Sequence, residues 1–173
     1  MTDYAVRVTT LSDAAGVGAL LQASYPKLMA SAYDEVLLAP ALKLMTRANP
    51  ALVASGTFYI AEARDGSVVG CGGWTLECPG GDVVEAGVGH IRHFGTHPDW
   101  TNRGIGRAIY RRCEADARSA GITSFECYAS LNAKGFYSAL GFESIRRMDC
   151  ALSSSVAFPG VLMRSRVRTE AGS

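Results

Sequence analysis

Apolar residues near the start of the chain recur with two different periods, which predict one strand followed by one helix. Over residues 4–8 every second residue is apolar, a pattern typical of a half-buried strand. Thr10 and Asp13 then have the spacing of a capping box, which predicts that a helix begins there. Valine and leucine continue at helical spacing toward Pro26, where we expect the helix to end.

The next part of the chain predicts a second helix and then a β-hairpin. Helical spacing covers residues 33–48, and we expect an interruption at Pro40 and an end before Pro50. Two runs with the composition of strands follow at 58–63 and 68–74. The Asp-Gly pair between them is a strong hairpin signal, so these two strands are predicted to be antiparallel.

Strands and helices alternate in the second half of the chain. Residues 89–96 form a predicted strand that ends before a proline. An amphipathic helix is predicted to start near Ile105 and to end at Gly121. A strand is then expected at 122–129, followed by a short helix over 132–140 that a glycine caps.

The chain closes with a predicted hairpin of strands at 142–152 and 161–167, and the tail 169–173 is predicted to be disordered. The order of elements is strand, two helices, three strands, helix, strand, helix, two strands. This order indicates an α/β fold of the α+β type, built on a largely antiparallel sheet. The length of the chain suits one domain, which we expect to span residues 1–173.

Charge and cysteine content exclude several classes of protein. With 17 basic and 16 acidic side chains the formal net charge is +1, so nucleic acid and anionic membranes are not expected partners. The N-terminus lacks the pattern of a signal peptide and the chain lacks a membrane-length apolar run, so we expect a cytoplasmic protein. The 5 cysteines are an odd number without a Cys-x-x-Cys pair, so neither a zinc site nor a disulfide framework is expected.

The most informative motif is a glycine turn within residues 96–109 that joins a strand to a helix. Gly104 and Gly106 allow a tight turn, and the first helical turn offers unpaired N–H groups to an anion such as a pyrophosphate. Arg107 stands where a P-loop needs Lys, and Ile109 stands where a dinucleotide fingerprint needs Gly or Ala. Taken alone, this turn is also compatible with a plain connection between elements.

A second block, from Asn132 to Phe142, gives the turn a more specific interpretation. The two blocks together resemble the GCN5-related N-acetyltransferase (GNAT) superfamily, which has Arg/Gln-x-x-Gly-x-Gly/Ala in its pyrophosphate loop and a Phe-Tyr pair in a later helix. The resemblance covers residues 58–142, and Gly135 departs from it because the family commonly has Ala there. The matching residues of the second block are Asn132, Phe136, Tyr137, Gly141 and Phe142.

The resemblance implies a central, mostly antiparallel mixed sheet of about seven strands, flanked by helices and splayed between the fourth and fifth strands. The strands that end at Thr96 and Ala129 would separate to admit acetyl-CoA as co-substrate, within a cofactor-binding core at 89–142. Thr101 replaces the family's Arg/Gln, which removes a side-chain donor to the cofactor. The implied cofactor-binding residues are Phe94, Gly95, Thr96, Thr101, Asn102, Arg103, Gly104, Ile105, Gly106, Arg107, Asn132 and Tyr137.

The resemblance also implies a catalytic acid. Tyr137 stands where the family places a tyrosine near the thioester sulfur, and a phenol has the proton affinity to protonate a thiolate. A core tyrosine beside Phe136 is the alternative interpretation. Asn132 is expected to bind the pantetheine arm, to cap the following helix, or both.

The catalytic base is expected on the strand before the glycine turn. Family members often use a glutamate six residues before the position of Thr96, and here that position holds His90. Strand alternation turns His93 to the opposite face, although a β-bulge would reverse this assignment. Glu85 and an ordered water remain alternatives. Because His90 and His93 face apart and His97 lies in a turn, no metal site is expected.

These inferences predict an enzyme, an N-acetyltransferase that moves the acetyl group of acetyl-CoA directly to a primary amine. The alternatives are a non-catalytic acyl-CoA-binding or sensor module, and a nucleotide-phosphate-binding regulator that rests on the glycine turn alone. The acceptor is expected to be a small-molecule or peptide amine, and a homodimer is compatible with the sequence. Tyr25, Tyr33 and Trp74 are candidates to line the acceptor pocket beside the first helices and residues 77–88, with packing as the alternative role of each.

Overall fold

The computed structural model of the chain describes residues 3–153 and 155–169. Residues 170–173 of the predicted disordered tail lie outside the described residues. The strands are β1 Tyr4–Val8, β2 Phe58–Ala63, β3 Val68–Thr75, β4 Val88–Thr96, β5 Ser124–Ser130, β6 Glu143–Ala151 and β7 Ala157–Arg166. The α-helices are α1 Ala14–Met29, α2 Glu35–Met45, α3 Pro50–Val53, α4 Ile105–Ser119 and α5 Lys134–Ala139.

The seven strands form one mixed sheet in the order β1-β2-β3-β4-β5-β7-β6. Neighbouring strands are antiparallel except β4 and β5, which are parallel. This arrangement confirms the predicted α/β fold with its mostly antiparallel sheet. The Asp-Gly turn joins β2 to β3 as predicted, and the capping box of Thr10 and Asp13 is present at the start of a short 3₁₀ turn that leads into α1.

Helices cover both faces of the sheet, because the side chains of β2 alternate between two apolar clusters. Tyr59 and Ala61 belong to the cluster that includes the buried face of α4, whereas Phe58 and Ile60 pack with α1 and α3. Across the described residues, none of the helices combines the length and the apolar character needed to cross a membrane.

The sheet opens between its fourth and fifth strands. β4 and β5 pair only from Val88–Ser124 to His90–Glu126. Beyond that point, β4 stays paired with β3 as far as Thr96, and β5 stays paired with β7 as far as Ser130. The predicted splay is therefore confirmed, and it leaves a gap between two strands that are each fixed on their other side.

A β-bulge interrupts β4 at the level of this gap. Two of its residues, His93 and Phe94, lie opposite the single residue Gly72 of β3. His93 has a φ of 49°, in the left-handed region that a histidine rarely adopts. Gly72 makes the bulge possible, because a Cβ there would lie 2.5 Å from the Phe94 ring. The side chains of β4 beyond Arg92 therefore do not follow simple alternation.

Two of the predicted helix boundaries are wrong, and both involve proline. Pro26 lies inside α1, which continues to Met29, and Pro40 lies inside α2 without interrupting it. A proline removes one helical hydrogen bond, and tertiary packing offsets that loss here, because Met29 is 2 % exposed in a cluster with Tyr33 and Phe158. The helical region also ends earlier than predicted, and Pro50 begins the short helix α3.

Candidate active site

A cavity of about 980 Å³ occupies the gap where β4 and β5 separate. One end lies at the glycine turn that begins α4. The other end lies between α1 and α2 on one side and β6 on the other, and the loop residues Pro79 and Gly80 close part of it. A volume of this size suits an elongated ligand together with a small second molecule.

The glycine turn presents backbone donors to this cavity. Gly104 is the N-cap of α4 with a φ of 77°, so a side chain there would strain the backbone. The first intrahelical donor is the amide of Ala108, which bonds to the Gly104 carbonyl at 2.9 Å. The preceding amides of residues 105–107 have no carbonyl partner within the helix, and these residues line the cavity. Free amides at the positive end of a helix are an arrangement that favours an anion.

Gly106 has a packing role that the sequence interpretation did not include. A Cβ at this position would lie 2.8 Å from the Phe136 ring. The glycine therefore lets α4 start directly against the helix that carries Tyr137, in addition to any approach of a ligand. A bulky residue at Gly106 would shift Phe136, so Gly104 is the better position at which to test anion binding.

Side chains around the turn add positive charge and fix its shape. Arg107 lines the cavity, and the Arg103 guanidinium lies over the Trp100 ring at 4.5 Å from its centroid. The Thr101 hydroxyl donates to the Pro98 carbonyl at 3.3 Å, so this hydroxyl is engaged within the turn itself. Asn102 adopts a φ of 62°, which asparagine tolerates better than most residues.

The backbone of β4 forms one wall of the cavity. Phe94, Gly95 and Thr96 line it, and they lie beyond the last β4–β5 pair, so their β5-facing backbone groups have no strand partner. The Tyr25 hydroxyl donates to the Phe94 carbonyl at 2.9 Å and holds α1 against this wall. The predicted contribution of Tyr25 to the pocket lining agrees with this placement.

Tyr137 lies in the opposite wall, where α5 meets β5. Its side chain is only 5 % exposed, and its ring packs among aromatic neighbours, with Phe94 at 6.1 Å and Phe142 at 5.4 Å between centroids. Burial raises the pKa of the Tyr137 phenol well above its ordinary value, so the phenol keeps its proton at neutral pH. The Cys127 thiol on β5 is close enough to this hydroxyl to contribute to its raised pKa.

Asn132 lines the same part of the cavity. Of its two sequence interpretations, the helix cap is wrong: the cap residues of the 3₁₀ turn and of α5 are Ser130 and Ala133. Asn132 therefore does not cap the helix, and its contact with the pantetheine arm stays a prediction.

Only one of the two histidines of β4 is among the residues that line the cavity. His93 lines the cavity, whereas His90 does not and is only 5 % exposed, with its Nδ1 buried and unpartnered among the described residues. His90 lies where β4 still pairs with β5, whereas the bulge at His93 and Phe94 interrupts the alternation, so the predicted orientation of His93 away from the cleft no longer follows from the strand pattern. Burial, assisted by the charge of Arg92, lowers the pKa of His93 to about 4, and burial also lowers that of His90.

Sequence comparison places this site in a known family. The family model described as an acetyltransferase (GNAT) domain matches residues 54–144, which is more than half of the chain. The chain belongs to the GNAT acetyltransferase family. The matched segment contains β4, the glycine turn and Tyr137, so the GNAT match rests on the part of the fold that forms the cavity. Among curated proteins, none matches the chain significantly.

Solved structures support the GNAT fold over nearly the whole chain. A GCN5-related N-acetyltransferase from Rhodopseudomonas palustris, described as an aminotransferase of class II, has a TM-score of 0.77 and 24% identity, covering 96% of this chain and 97% of that chain. The PaiA N-acetyltransferase from Thermoplasma acidophilum, solved with coenzyme A, has a TM-score of 0.70 and 16% identity, covering 95% of this chain and 99% of that chain. N-acetylglutamate synthase from Neisseria gonorrhoeae, complexed with coenzyme A and N-acetyl-glutamate, has a TM-score of 0.64 and 15% identity, covering 98% of this chain and 36% of that chain.

Several residues that the sequence suggested for the GNAT site lie outside the cavity. Glu85 is exposed, and Trp74 is a core residue at 4 % exposure. Tyr33 stacks on Phe158 at 4.2 Å, and its hydroxyl donates to the Pro159 carbonyl at 2.6 Å, so it supports the wall behind the cavity. The His97 Nδ1 accepts the Asp99 amide at 3.1 Å within the turn after β4.

The sequence interpretation missed most of the cavity end between α1, α2 and β6, which is the end a second substrate would occupy. Arg92 and Asp149 bring charge to it, and Leu28 and Met45 bring apolar surface from α1 and α2. The apolar residues resemble ordinary core positions in the sequence, so only the tertiary arrangement identifies them. Within residues 3–153 and 155–169, no group of three or more His, Cys, Asp or Glu side chains is placed to hold a metal ion.

Proposed function

We propose that this GNAT protein is an acetyl-CoA-dependent N-acetyltransferase that transfers the acetyl group directly to a primary amine. The observation that carries the proposal is a single cavity, which joins the anion site at the start of α4 to Tyr137 and His93. A coenzyme needs the anion site for its phosphates, and the transfer of a group needs an acid and a base such as Tyr137 and His93. Neighbours of the same fold that were solved with coenzyme A support the choice of donor.

The residues of the cavity fit the parts of the donor in order. The pyrophosphate takes the amides of residues 105–107 together with the charge of Arg107. Arg103, although predicted to bind the cofactor, does not line the cavity and lies over the Trp100 ring, where it adds a second positive charge near the turn. The pantetheine arm follows the free backbone edge of residues 94–96, with Asn132 on the facing wall. These assignments account for the absence of Arg or Gln at position 101, because backbone donors supply most of the contacts.

Tyr137 and His93 divide the proton transfers of the reaction. In the transfer, the amine nitrogen bonds to the acetyl carbon and the carbon–sulfur bond breaks. His93 accepts the proton that the attacking nitrogen loses, and the Tyr137 phenol gives its proton to the departing thiolate, because both residues line the cavity between the two substrates. Backbone N–H groups of β4 stabilise the developing oxyanion. The role first assigned to His90 passes to His93, because His93 is the one that lines the cavity.

Direct transfer is favoured over an acetyl-cysteine intermediate. Cys127 and Cys150 both line the cavity and are the nearest candidates for a nucleophile. Burial raises the pKa of the Cys127 thiol to about 12 and raises that of Cys150. Both groups therefore remain thiols at neutral pH, and a thiol is a poor nucleophile compared with a thiolate.

A thiol-release assay tests this proposal against the sensor alternative. Purified protein is titrated with acetyl-CoA by calorimetry, and free coenzyme A is then followed with a panel of primary amines. We expect binding and amine-dependent thiol release. Binding without release for any amine would favour the non-catalytic acyl-CoA module, and the absence of binding would contradict both interpretations.

A further inference from the structure

Arg92 is held in a fixed position at the acceptor end of the cavity. It lies on β4 directly before the bulge, and its side chain is half-buried. Its Nη1 donates to the Thr75 hydroxyl oxygen at 3.1 Å, and the Thr75 hydroxyl donates to the Glu77 carbonyl at 2.8 Å. This chain of hydrogen bonds orients the guanidinium against the wall of the cavity.

The charge of Arg92 has no ion-pair partner in the described part of the chain. The Glu77 carboxylate acts on it electrostatically, but from beyond ion-pair distance. Burial lowers the pKa of Arg92 below its ordinary value, and the distant charge of Glu77 only partly opposes this shift. A guanidinium has five N–H donors, and the bond to Thr75 uses one of them.

This charge is separate from the pyrophosphate site. Arg92 lies near one end of the segment of β4 that lines the cavity, and Thr96 lies at the other end. The length of strand between them is on the order of 10 Å. It is instead adjacent in sequence to His93, the proposed acceptor of the amine proton. An anion bound to Arg92 would therefore belong to the acceptor and not to the coenzyme.

We propose that the acceptor is a small amine that also carries a carboxylate, and that Arg92 binds this carboxylate. The inference rests on the proposed acetyl transfer and specifies its acceptor. A planar guanidinium matches a carboxylate with two parallel charge-assisted hydrogen bonds. Arg92 and His93 both line this cavity, and the charge of Arg92 acts on His93, so a compact amino acid held by its carboxylate at Arg92 would reach His93 with its amino group.

Asp149 on β6 supports the rival acceptor, a polyamine. It lines the same end of the cavity, but it is exposed, whereas Arg92 is half-buried. Exposed charges are screened by water and salt more strongly than partly buried ones. The field at this end is therefore dominated by Arg92, which favours an acceptor with a negative charge.

Matched pairs of acceptors test the inference. Each amino acid of a panel that includes glycine, β-alanine, glutamate and methionine is compared with its carboxamide, and spermidine represents the polyamines. Acetylated product is measured by mass spectrometry for the wild type, Arg92→Gln and Arg92→Lys. Arg146→Gln is the matched control, because Arg146 is exposed and lies outside the cavity. Circular dichroism verifies that each variant is folded.

We expect at least one free acid to exceed its carboxamide by roughly 10- to 100-fold in kcat/KM. Arg92→Gln should lower kcat/KM for the free acid much more than for its carboxamide and so remove this preference, Arg92→Lys should keep part of it, and the control should match the wild type. Equal use of acids and carboxamides, acetylation of spermidine alone, or acetyl-CoA binding without acetylation of any acid would overturn the inference. If acetyl-CoA does not bind, the proposed function fails first, so the two failures are distinguishable.

Discussion

Replacing His93 by asparagine should change how the stability of the protein depends on pH. Asparagine is the suitable substitute, because the backbone at this position has a φ of 49° and asparagine accepts that conformation better than most residues. The substitution removes a titratable group and retains a polar side chain in the cavity wall. It therefore tests the protonation state on which the proposed role of His93 depends.

The magnitude follows from the pKa of His93. An unfolded histidine titrates near 6.5, and burial lowers the pKa of the folded one to about 4. Above pH 6.5 both states are neutral and the residue has no effect on stability. As the pH falls from 6.5 to about 4, the unfolded state binds a proton that the folded state does not. Stability should therefore fall over this window, by about 3 kcal/mol in total from His93 alone.

Urea unfolding at a series of pH values between 7.5 and 4 measures this effect. The free energy of unfolding of the wild type should fall more steeply than that of His93→Asn, and the difference should grow as the pH decreases. His97→Asn is the control, because it keeps both buried histidines and should follow the wild type. Parallel curves for the wild type and His93→Asn would refute the buried, neutral imidazole.

Three further predictions concern the walls of the cavity. Tyr137→Phe keeps the ring packing and removes the acid, so single-turnover rates should fall by roughly 10²-fold with little change in acetyl-CoA affinity, and an unchanged rate would reassign the proton. Gly104→Val strains the turn at a φ of 77°, so calorimetry should show weaker acetyl-CoA binding by a protein that stays folded, and an unchanged affinity would argue against the anion site. Gly72→Ala places a Cβ 2.5 Å from Phe94, so urea unfolding should show a loss of about 1–3 kcal/mol, whereas unchanged stability would mean that the bulge adapts freely.

The strands and the long amphipathic helix were predictable because their signals are local. The alternation in β1, the Asp-Gly turn after β2 and the glycine cap after α4 all depend on residues close in sequence. The prolines in α1 and α2 were misread because their cost is offset by tertiary contacts. The packing of Met29 against Phe158 joins residues far apart in sequence, and periodicity does not contain that information.

The candidate site was predictable in its coenzyme half and not in its acceptor half. The glycine turn and Tyr137 belong to compact motifs, and the structure brings them to one cavity. The position of His93 depends on a bulge that forms because Gly72 of another strand accommodates Phe94. Arg92 looks like an ordinary strand arginine in the sequence, and only its burial distinguishes it.

The central claim is that acetyl-CoA binds in the gap between β4 and β5 and gives its acetyl group to an amine. The most direct measurement follows a reaction with isotopically labelled acetyl-CoA and a defined panel of amines, quantifying free coenzyme A and labelled acetyl-amine by mass spectrometry. The account predicts equal amounts of free coenzyme A and labelled acetyl-amine, and no label attached to the protein. Binding without labelled product, or label that accumulates on the protein and passes from there to the amine, would contradict direct transfer in this cavity.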